Sequence, residues 1–180
     1  ARFFDAGAMI TASHNPEEYN GIKLFNRDGS SFSGSQQSCI EEGIGHPRWT
    51  GWDHQGEILN FDAGTPYLSA VLENRTARPD LGMLLDCGNG AGSVISPRLL
   101  SLQGVRISCI NCNPAGRFAR PSEPTAEHLA YLGSVVKSSA AGGAIVHDGD
   151  ADRMMALDHR GRFISGDQLD PRHQRSNPVL

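Results

Sequence analysis

Short apolar runs alternate with longer amphipathic stretches along the chain, and this pattern predicts strands separated by helices. The runs predicted as strands are residues 7–11, 21–26, 81–86, 105–109, 144–147, 154–157 and 163–164. The stretches predicted as helices are residues 35–42, 66–74, 94–102 and 125–139, the last with Thr125 as its N-cap. This order favours an α/β fold, with three-layer α/β sandwich domains and mixed, largely parallel sheets.

The same pattern divides the chain into two structured parts. Residues 1–62 form the first, residues 63–80 a linking helix and linker, and residues 81–169 the second. Residues 170–180 have no amphipathic period and are predicted to be disordered. An apolar run that predicts a core strand begins within a few positions of residue 1, so both ends look cut and we expect a fragment.

Composition excludes several classes of partner. The net charge of -4 and the charged fraction of 20% give no reason to expect a nucleic acid or an anionic membrane surface. Cys109 and Cys112 have the C-x-x-C spacing, but no second pair and no H-x₃₋₅-H follow, so a zinc site is not expected. The cysteines are interpreted as reduced thiols on a buried strand, which is typical of a cytoplasmic protein.

A glycine-rich segment follows the predicted strand 81–86. Its glycines fall at 88, 90 and 92, so Ser93 stands in the place of the third glycine of a dinucleotide-binding motif. No acidic residue lies about 20 positions further on to bind a ribose. A tight strand-to-helix turn that needs small residues is the better interpretation.

Three aspartates at alternating positions, Asp148, Asp150 and Asp152, follow the predicted strand 144–147 and precede Arg153. Their mutual repulsion calls for a cation, and carboxylate oxygens suit a hard divalent ion. An EF-hand would need glycine and glutamate where Arg153 and His159 stand. A phosphatase of the haloacid-dehalogenase type would use Asp148 as nucleophile, but its motif has threonine or valine at the place of Asp152, so this reading ranks second.

A hydroxyl nucleophile lies in a turn near the start of the chain. The turn reads Thr-Ala-Ser-His-Asn-Pro over residues 11–16. Its proline keeps Ser13 out of regular structure, and His14 and Asn15 place polar groups beside any phosphate that Ser13 carries. A phosphorylated serine needs a divalent cation, so the two loops together suggest phosphoryl transfer through a phosphoserine.

In their order along the chain, four segments resemble the signatures of the α-D-phosphohexomutase superfamily, which includes phosphomannomutase, phosphoglucomutase and phosphoglucosamine mutase. The four segments are residues 11–16, 20–23, 86–92 and 148–153. Residues 120–129 and 161–167 also resemble family segments, so the likeness covers roughly residues 5–169. It implies an isomerase that interconverts hexose 6-phosphate and hexose 1-phosphate through a hexose bisphosphate.

The resemblance also implies a role for each residue of the site. Ser13 is the phosphorylated serine, and its phosphoryl oxygen joins Asp148, Asp150 and Asp152 as a ligand of Mg²⁺. Lys23 is the general acid/base, Arg153 stabilises the transferring group, His14 belongs to the catalytic set and Asn15 to the substrate-binding set. A phosphoserine carries about -1.5 to -2 charges, so with three aspartates and one Mg²⁺ the cluster stays negative, and Lys23 and Arg153 offset the excess.

The chain also departs from the family pattern. Family members have four domains, and this chain resembles the end of domain I and most of domain II, so domains III and IV of the parent chain are missing partners. We therefore expect an inactive fragment and cannot choose among glucose, mannose and glucosamine phosphates, with a slight lean towards the phosphoglucosamine and phosphomannose branch. Two other functions stay open: the phosphatase that uses Asp148, and a non-catalytic magnesium-binding module.

Overall fold

A computed structural model describes residues 4–16, 18–73 and 80–169 of the chain. These residues divide into two compact units. The first unit contains residues up to 11 and residues 20–62, and the second contains residues 12–19 and everything from residue 63 onwards. Residues 12–16 of the serine turn (11–16) therefore belong to the same unit as the aspartate loop (148–153).

The first unit is built on a two-stranded antiparallel ribbon. Its strands are β1 (Ala6–Ile10) and β2 (Ile22–Asn26), followed by helix α1 (Gly34–Ile44) and a 3₁₀ turn (Trp52–His54). Helix α1 begins at a capping box formed by Ser33 and Gln36. The prediction that the first strand lies in a core is wrong, because all five residues of β1 are exposed. A two-stranded ribbon alone buries neither of its faces.

The second unit contains a five-stranded mixed sheet in the order β4-β3-β5-β6-β7. Its elements in chain order are α2 (Gly64–Leu72), β3 (Gly82–Asp86), α3 (Gly92–Leu102), β4 (Arg106–Ile110), α4 (Ala130–Ser138), β5 (Gly143–His147), β6 (Met154–Asp158), β7 (Phe163–Ile164) and α5 (Gly166–Leu169). Strand β3 is parallel to β4 and β5, whereas β6 is antiparallel to β5 and β7. The predicted α/β class with a mixed sheet is confirmed. The switch to antiparallel pairing follows from the short loop after β5, which has no room for a crossover helix.

One face of this sheet packs against α4. The buried side chains of this core are Leu84, Leu129, Leu132, Val136, Ala144, Val146 and Leu157. Asp86 at the end of β3 is in register with Val146 near the end of β5. Because both strands run in the same direction, the glycine-rich turn after β3 and the aspartate loop after β5 leave the sheet at the same edge.

Two local predictions are wrong. Helix α4 begins at Ala130 rather than at Thr125, because Thr125 Oγ1 accepts a hydrogen bond from the backbone N–H of His128 (3.2 Å) within a separate turn. Cys109 is exposed rather than buried, since β4 is an edge strand of the sheet. The predicted disordered tail (170–180) and most of the predicted linker (75–79) lie outside the described residues. Among the described residues, none of the helices has the length and apolar character needed to cross a membrane.

Candidate active site

The aspartate loop joins β5 to β6 and brings its three carboxylates together. One oxygen each from Asp148, Asp150 and Asp152 lies within 4.8 Å of the other two. Asp148 is buried, Asp150 is half-buried and Asp152 is exposed, so the group opens towards solvent on one side. Ala151 has a φ of 63°, a left-handed conformation that tightens the loop.

These three carboxylates fit a hard divalent cation such as Mg²⁺. Oxygen ligands about 2.1 Å from an octahedrally coordinated ion lie about 3 to 4 Å from one another, which is compatible with three oxygens that all lie within 4.8 Å of one another. Neighbouring carboxylates repel each other in the absence of a compensating charge. The donor set is entirely oxygen, which is the set that Mg²⁺ prefers.

Arg153 ends the aspartate loop and forms hydrogen bonds with Asp148, the first aspartate of that loop. The Nε and backbone N–H groups of Arg153 donate to Asp148 Oδ2 (3.0 Å) and Oδ1 (3.2 Å). Arg153 Nη1 lies 3.6 Å from Glu123 Oε1. Its Nη2 is buried and has no hydrogen-bond partner among the described residues. The guanidinium group is thus held by carboxylates, while one of its nitrogens lacks an acceptor among the described residues.

A buried ion pair lies beside the start of the aspartate loop and supports it. The side chains of Arg120 and Asp86 are 5% and 0% exposed, with Arg120 Nη2 3.4 Å from Asp86 Oδ1. The same nitrogen donates to the carbonyl oxygen of His147 (2.6 Å), the residue directly before Asp148. Asp86 also accepts a hydrogen bond from Tyr131, whose burial, and then that bond, raise its pKa to about 12. Sequence patterns do not predict this pair, and its one sequence signal is a carboxylate at the end of a buried strand.

The glycine-rich turn packs directly against the aspartate loop. The backbone N–H of Ala91 donates to the carbonyl oxygen of Gly149 (2.9 Å). A Cβ atom at Gly92 would lie 3.1 Å from His147 Cδ2 and 3.2 Å from Ala151 Cβ. The predicted tight strand-to-helix turn is present, and its small residues also make room for the loop that carries the aspartates.

The serine turn holds Ser13 in a left-handed conformation with a φ of 56°. His14 Nδ1 lies 3.4 Å from Ser13 Oγ, and the backbone N–H of Asn15 donates to Ala12 O (3.1 Å) to close the turn. Such a conformation costs a non-glycine residue about 1–3 kcal/mol, so surrounding contacts must maintain it. One of them is the hydroxyl of Ser122, which donates to the carbonyl oxygen of Ser13 (3.4 Å).

Ser122 contacts both loops. Besides its bond to Ser13, its Oγ lies where a Cβ atom at Gly149 would approach to 2.5 Å. The segment around Ser122 also lines a cavity of about 480 Å³ that the serine turn borders; its polar lining residues include His14, Glu18, Glu123 and His128. The second unit therefore brings the serine turn, the aspartate loop and Arg153 to one region.

Lys23 lies on β2 in the first unit. Its side chain is exposed, and its backbone is paired with Met9 across the ribbon. The structure places Lys23 on regular secondary structure, whereas the other predicted site residues lie in loops.

Comparison with known proteins identifies the family. Residues 65–161 match the model of the phosphoglucomutase/phosphomannomutase alpha/beta/alpha domain II, and residues 2–49 match that of domain I. A probable phosphoglucosamine mutase of Methanosarcina acetivorans is 43% identical over 173 residues, which cover 94% of this chain and 40% of the relative. The phosphopentomutase of Thermococcus kodakarensis is 40% identical over 168 residues, which cover 92% of this chain and 37% of that protein.

Solved structures agree. A phosphoglucomutase/phosphomannomutase family protein of Burkholderia thailandensis superposes with a TM-score of 0.77 at 27% identity, over 89% of this chain and 35% of that one. A putative phosphomannomutase of Thermus thermophilus shares the fold, with a TM-score of 0.78 at 24% identity, over 92% of this chain and 39% of that one. The chain spans about 40% of the length of the curated relatives it matches. The sequence motifs of the chain and both matched domain models indicate the same family. The chain therefore belongs to the phosphoglucomutase/phosphomannomutase family.

Proposed function

We propose that this protein carries the phosphoserine and the metal site of a phosphohexomutase, which interconverts hexose 6-phosphate and hexose 1-phosphate. Ser13 Oγ gives its phosphoryl group to a hydroxyl of the hexose phosphate, forming a hexose bisphosphate. After the bisphosphate turns around, the other phosphoryl group returns to Ser13 Oγ. Each step breaks one P–O bond and forms another, so Ser13 is regenerated in every cycle.

The contact of Ser122 with both loops carries this proposal. Its hydroxyl donates to the carbonyl oxygen of Ser13 (3.4 Å) and packs against Gly149 inside the aspartate loop. A phosphorylated serine needs positive charge nearby, and Arg153 stands at the end of that loop. Ser13 has a strained backbone conformation, and such conformations are common in residues that functional sites hold in position for reaction.

The remaining residues take the roles that the family resemblance implies. Asp148, Asp150 and Asp152 hold Mg²⁺, which when bound neutralises charge on the phosphoryl oxygens. Arg153 donates hydrogen bonds to the transferring group. Lys23 exchanges the proton of the attacking hydroxyl, and His14 and Asn15 line the pocket beside Ser13.

The phosphatase alternative is not favoured. Its nucleophile, Asp148, is 1% exposed, and both of its carboxylate oxygens accept hydrogen bonds from Arg153. Hydrogen bonds to both oxygens lower the nucleophilicity of a carboxylate, and both matched domain models belong to the phosphoglucomutase/phosphomannomutase family.

The proposal includes a substrate class and a location. Relatives named as phosphoglucosamine mutase and phosphopentomutase support a sugar phosphate as substrate, with phosphoglucosamine as the first compound to test. A cytoplasmic location is supported by four cysteines that are all free thiols.

Phosphopeptide mapping tests the nucleophile. A chain completed with domains III and IV is incubated with Mg²⁺ and glucose 1,6-bisphosphate, and we expect phosphate on Ser13, none in Ser13→Ala, and an unchanged amount of bound phosphate in Ser38→Ala, which alters an exposed serine of α1. The Ser13→Ala variant should still bind Mg²⁺, because the carboxylates remain. Phosphate found on Asp148 would instead support the phosphatase hypothesis. Hydroxylamine identifies it, because hydroxylamine cleaves acyl phosphates.

We also propose that the 180-residue chain alone does not turn over hexose phosphates. A mutase must hold its substrate in two opposite orientations, and the family resemblance assigns that task to domains III and IV. Orientation accounts for about 7–11 kcal/mol of barrier reduction in well-positioned reactions. A coupled assay on hexose 1-phosphates with a bisphosphate activator tests this, and turnover at ordinary enzymatic rates would contradict it.

A further inference from the structure

We propose that Glu123 is a positioning residue that orients the Arg153 guanidinium group towards the transferring phosphoryl group. This inference rests on the proposed function, since it deepens the role of Arg153 at the same site. Glu123 lies in segment 120–129, which resembles a family segment, but nothing in its sequence context predicts a contact with Arg153, thirty positions further along the chain.

Two carboxylates hold the guanidinium group at different nitrogens. Arg153 Nε lies 3.0 Å from Asp148 Oδ2, and Arg153 Nη1 lies 3.6 Å from Glu123 Oε1. Asp148 alone leaves the group free to turn about its bond to that carboxylate. A second carboxylate at Nη1 restricts rotation about the Cδ–Nε bond, so that the covalent attachment and the two carboxylates together set the plane of the guanidinium group.

The third nitrogen is the one left for a ligand. Nη2 of Arg153 is buried and has no hydrogen-bond partner among the residues that the structure describes. A buried N–H group without an acceptor costs free energy, which a phosphoryl oxygen in the same place would recover. Glu123 therefore acts through Arg153 by fixing where Nη2 points.

The backbone that carries Glu123 is itself fixed. Its carbonyl oxygen accepts a hydrogen bond from the N–H of Thr125 (3.0 Å) and lies 2.7 Å from His128 Nδ1. The carbonyl oxygen of Pro121, two residues earlier, accepts a hydrogen bond from Nη1 of Arg120 (3.1 Å), the cation of the buried pair. The carboxylate of Glu123 thus extends from a supported segment, while its side chain stays 48% exposed and tolerates substitution.

The charge of Glu123 and the length of its side chain predict different effects on anion binding, so the positioning role can be tested. If Glu123 acts only as a negative charge, its removal in Glu123→Gln strengthens anion binding and Glu123→Asp leaves it unchanged. If Glu123 positions Arg153, Glu123→Asp weakens anion binding although the charge is kept, because the shorter side chain no longer reaches Nη1. Glu127→Asp is the matched control, since Glu127 is exposed and four residues further along.

The experiment measures binding of inorganic phosphate to the 180-residue chain at saturating Mg²⁺, by ³¹P NMR titration. We expect Glu123→Asp to weaken binding about two- to fivefold, the range that partly exposed ion pairs support, and Glu127→Asp to leave it unchanged. In an Arg153→Lys background, Glu123→Asp should have no further effect. The NMR signal of the Arg153 Nε–H group, identified by its loss in Arg153→Lys, should broaden in Glu123→Asp.

Three results would overturn the proposal, and they differ in what they reject. Unchanged phosphate binding and an unchanged Arg153 signal in Glu123→Asp would reject the positioning role and leave the proposed function intact. The same loss in the Arg153→Lys background would show that Glu123 acts independently of Arg153. A wild-type chain that binds no phosphate would reject the phosphoryl site itself, and the role of Glu123 with it.

Discussion

The carbonyl oxygen of Gly149 lies directly against the α carbon of Gly90, so that a Cβ atom at position 90 would overlap it. The adjoining backbone N–H of Ala91 donates to the same oxygen (2.9 Å). Two of the four signature segments, separated by more than fifty residues, are thus in backbone contact. The absence of a side chain at Gly90 allows the aspartate loop to take its position.

Gly90→Ala is expected to destabilise the second unit and displace the aspartate loop. Overpacking of this kind costs about 1–3 kcal/mol, and here the opposing atom is backbone, which cannot rotate away. Chemical denaturation measures the loss of stability, and calorimetry measures the weaker binding of Mg²⁺. Gly166→Ala is the control, because its new methyl group would meet atoms no closer than 3.9 Å. Equal Mg²⁺ affinity in Gly90→Ala and wild type would contradict the link between the two loops.

Asp150→Asn is expected to weaken Mg²⁺ binding by roughly tenfold or more, since changes one shell further from a metal already cost that much. The substitution keeps the size of the side chain and removes one of three hard oxygen charges. Isothermal titration calorimetry checks it. Asp167→Asn removes the same charge from an exposed position on α5 and should leave binding unchanged. Equal Mg²⁺ affinities in the two variants would show that the aspartate loop is not the metal site.

Arg120→Met is expected to destabilise the protein by about 3–5 kcal/mol, because it leaves the buried carboxylate of Asp86 without its cation. A second substitution, Asp86→Asn, should recover part of the loss. The pair of Arg162 and Asp158, in which the arginine side chain is exposed, is the matched comparison, and Arg162→Met should cost about 1 kcal/mol or less. Urea denaturation of the four proteins gives the comparison. Similar losses in Arg120→Met and Arg162→Met would show that the buried pair does not hold the sheet edge together.

Local patterns predicted most of the elements, because strand and helix periodicity depends on neighbouring residues. The strands that precede the glycine-rich turn and the aspartate loop were predicted to within a residue at most ends, as β3 and β5 show. The start of α4 was missed because Thr125 has the composition of an N-cap but caps a separate turn. Periodicity does not distinguish these two uses of a threonine.

The sequence does not predict contacts between segments that are far apart along the chain. The chain contains many arginines, and no pattern indicates that Arg120 pairs with Asp86 or that Ser122 reaches Ser13. These contacts depend on the order of strands in the sheet, which the sequence left open. The exposure of β1 was missed for a similar reason, since an apolar run predicts burial only if another layer covers it.

Amides of the β1–β2 ribbon are expected to exchange with deuterium faster than those of β3 and β5. The ribbon has only two strands, and Ile10 and Ile22 are 64% and 68% exposed, so opening it uncovers little additional apolar surface. In contrast, Leu85 and Val146 in the larger sheet are fully buried. Exchange followed by mass spectrometry resolves the two regions, and equal protection would contradict this ranking.

His147 makes the stability of the second unit dependent on pH. Its side chain extends from the end of β5, with Nε2 3.0 Å from Ser96 Oγ and Nδ1 buried without a hydrogen-bond partner among the described residues. Burial holds the pKa of His147 below its ordinary value of about 6.5. Below pH 6.5 the unfolded chain therefore binds a proton at His147 that the folded chain resists. Stability from this group is complete above pH 6.5 and falls as the pH drops towards the lower pKa of the folded state.

We therefore expect the chain to lose stability between pH 7.5 and pH 5.5, and His147→Gln to lose less over the same interval. Glutamine keeps a polar group near Ser96 but does not titrate, so the comparison concerns the change with pH rather than the stability at one pH. His159→Gln, on the exposed turn before β7, is the control and should retain the wild-type dependence on pH. Urea denaturation at constant ionic strength in metal-free buffer measures all three proteins. If His147→Gln and wild type lose equal stability on acidification, carboxylates rather than His147 set the response to pH.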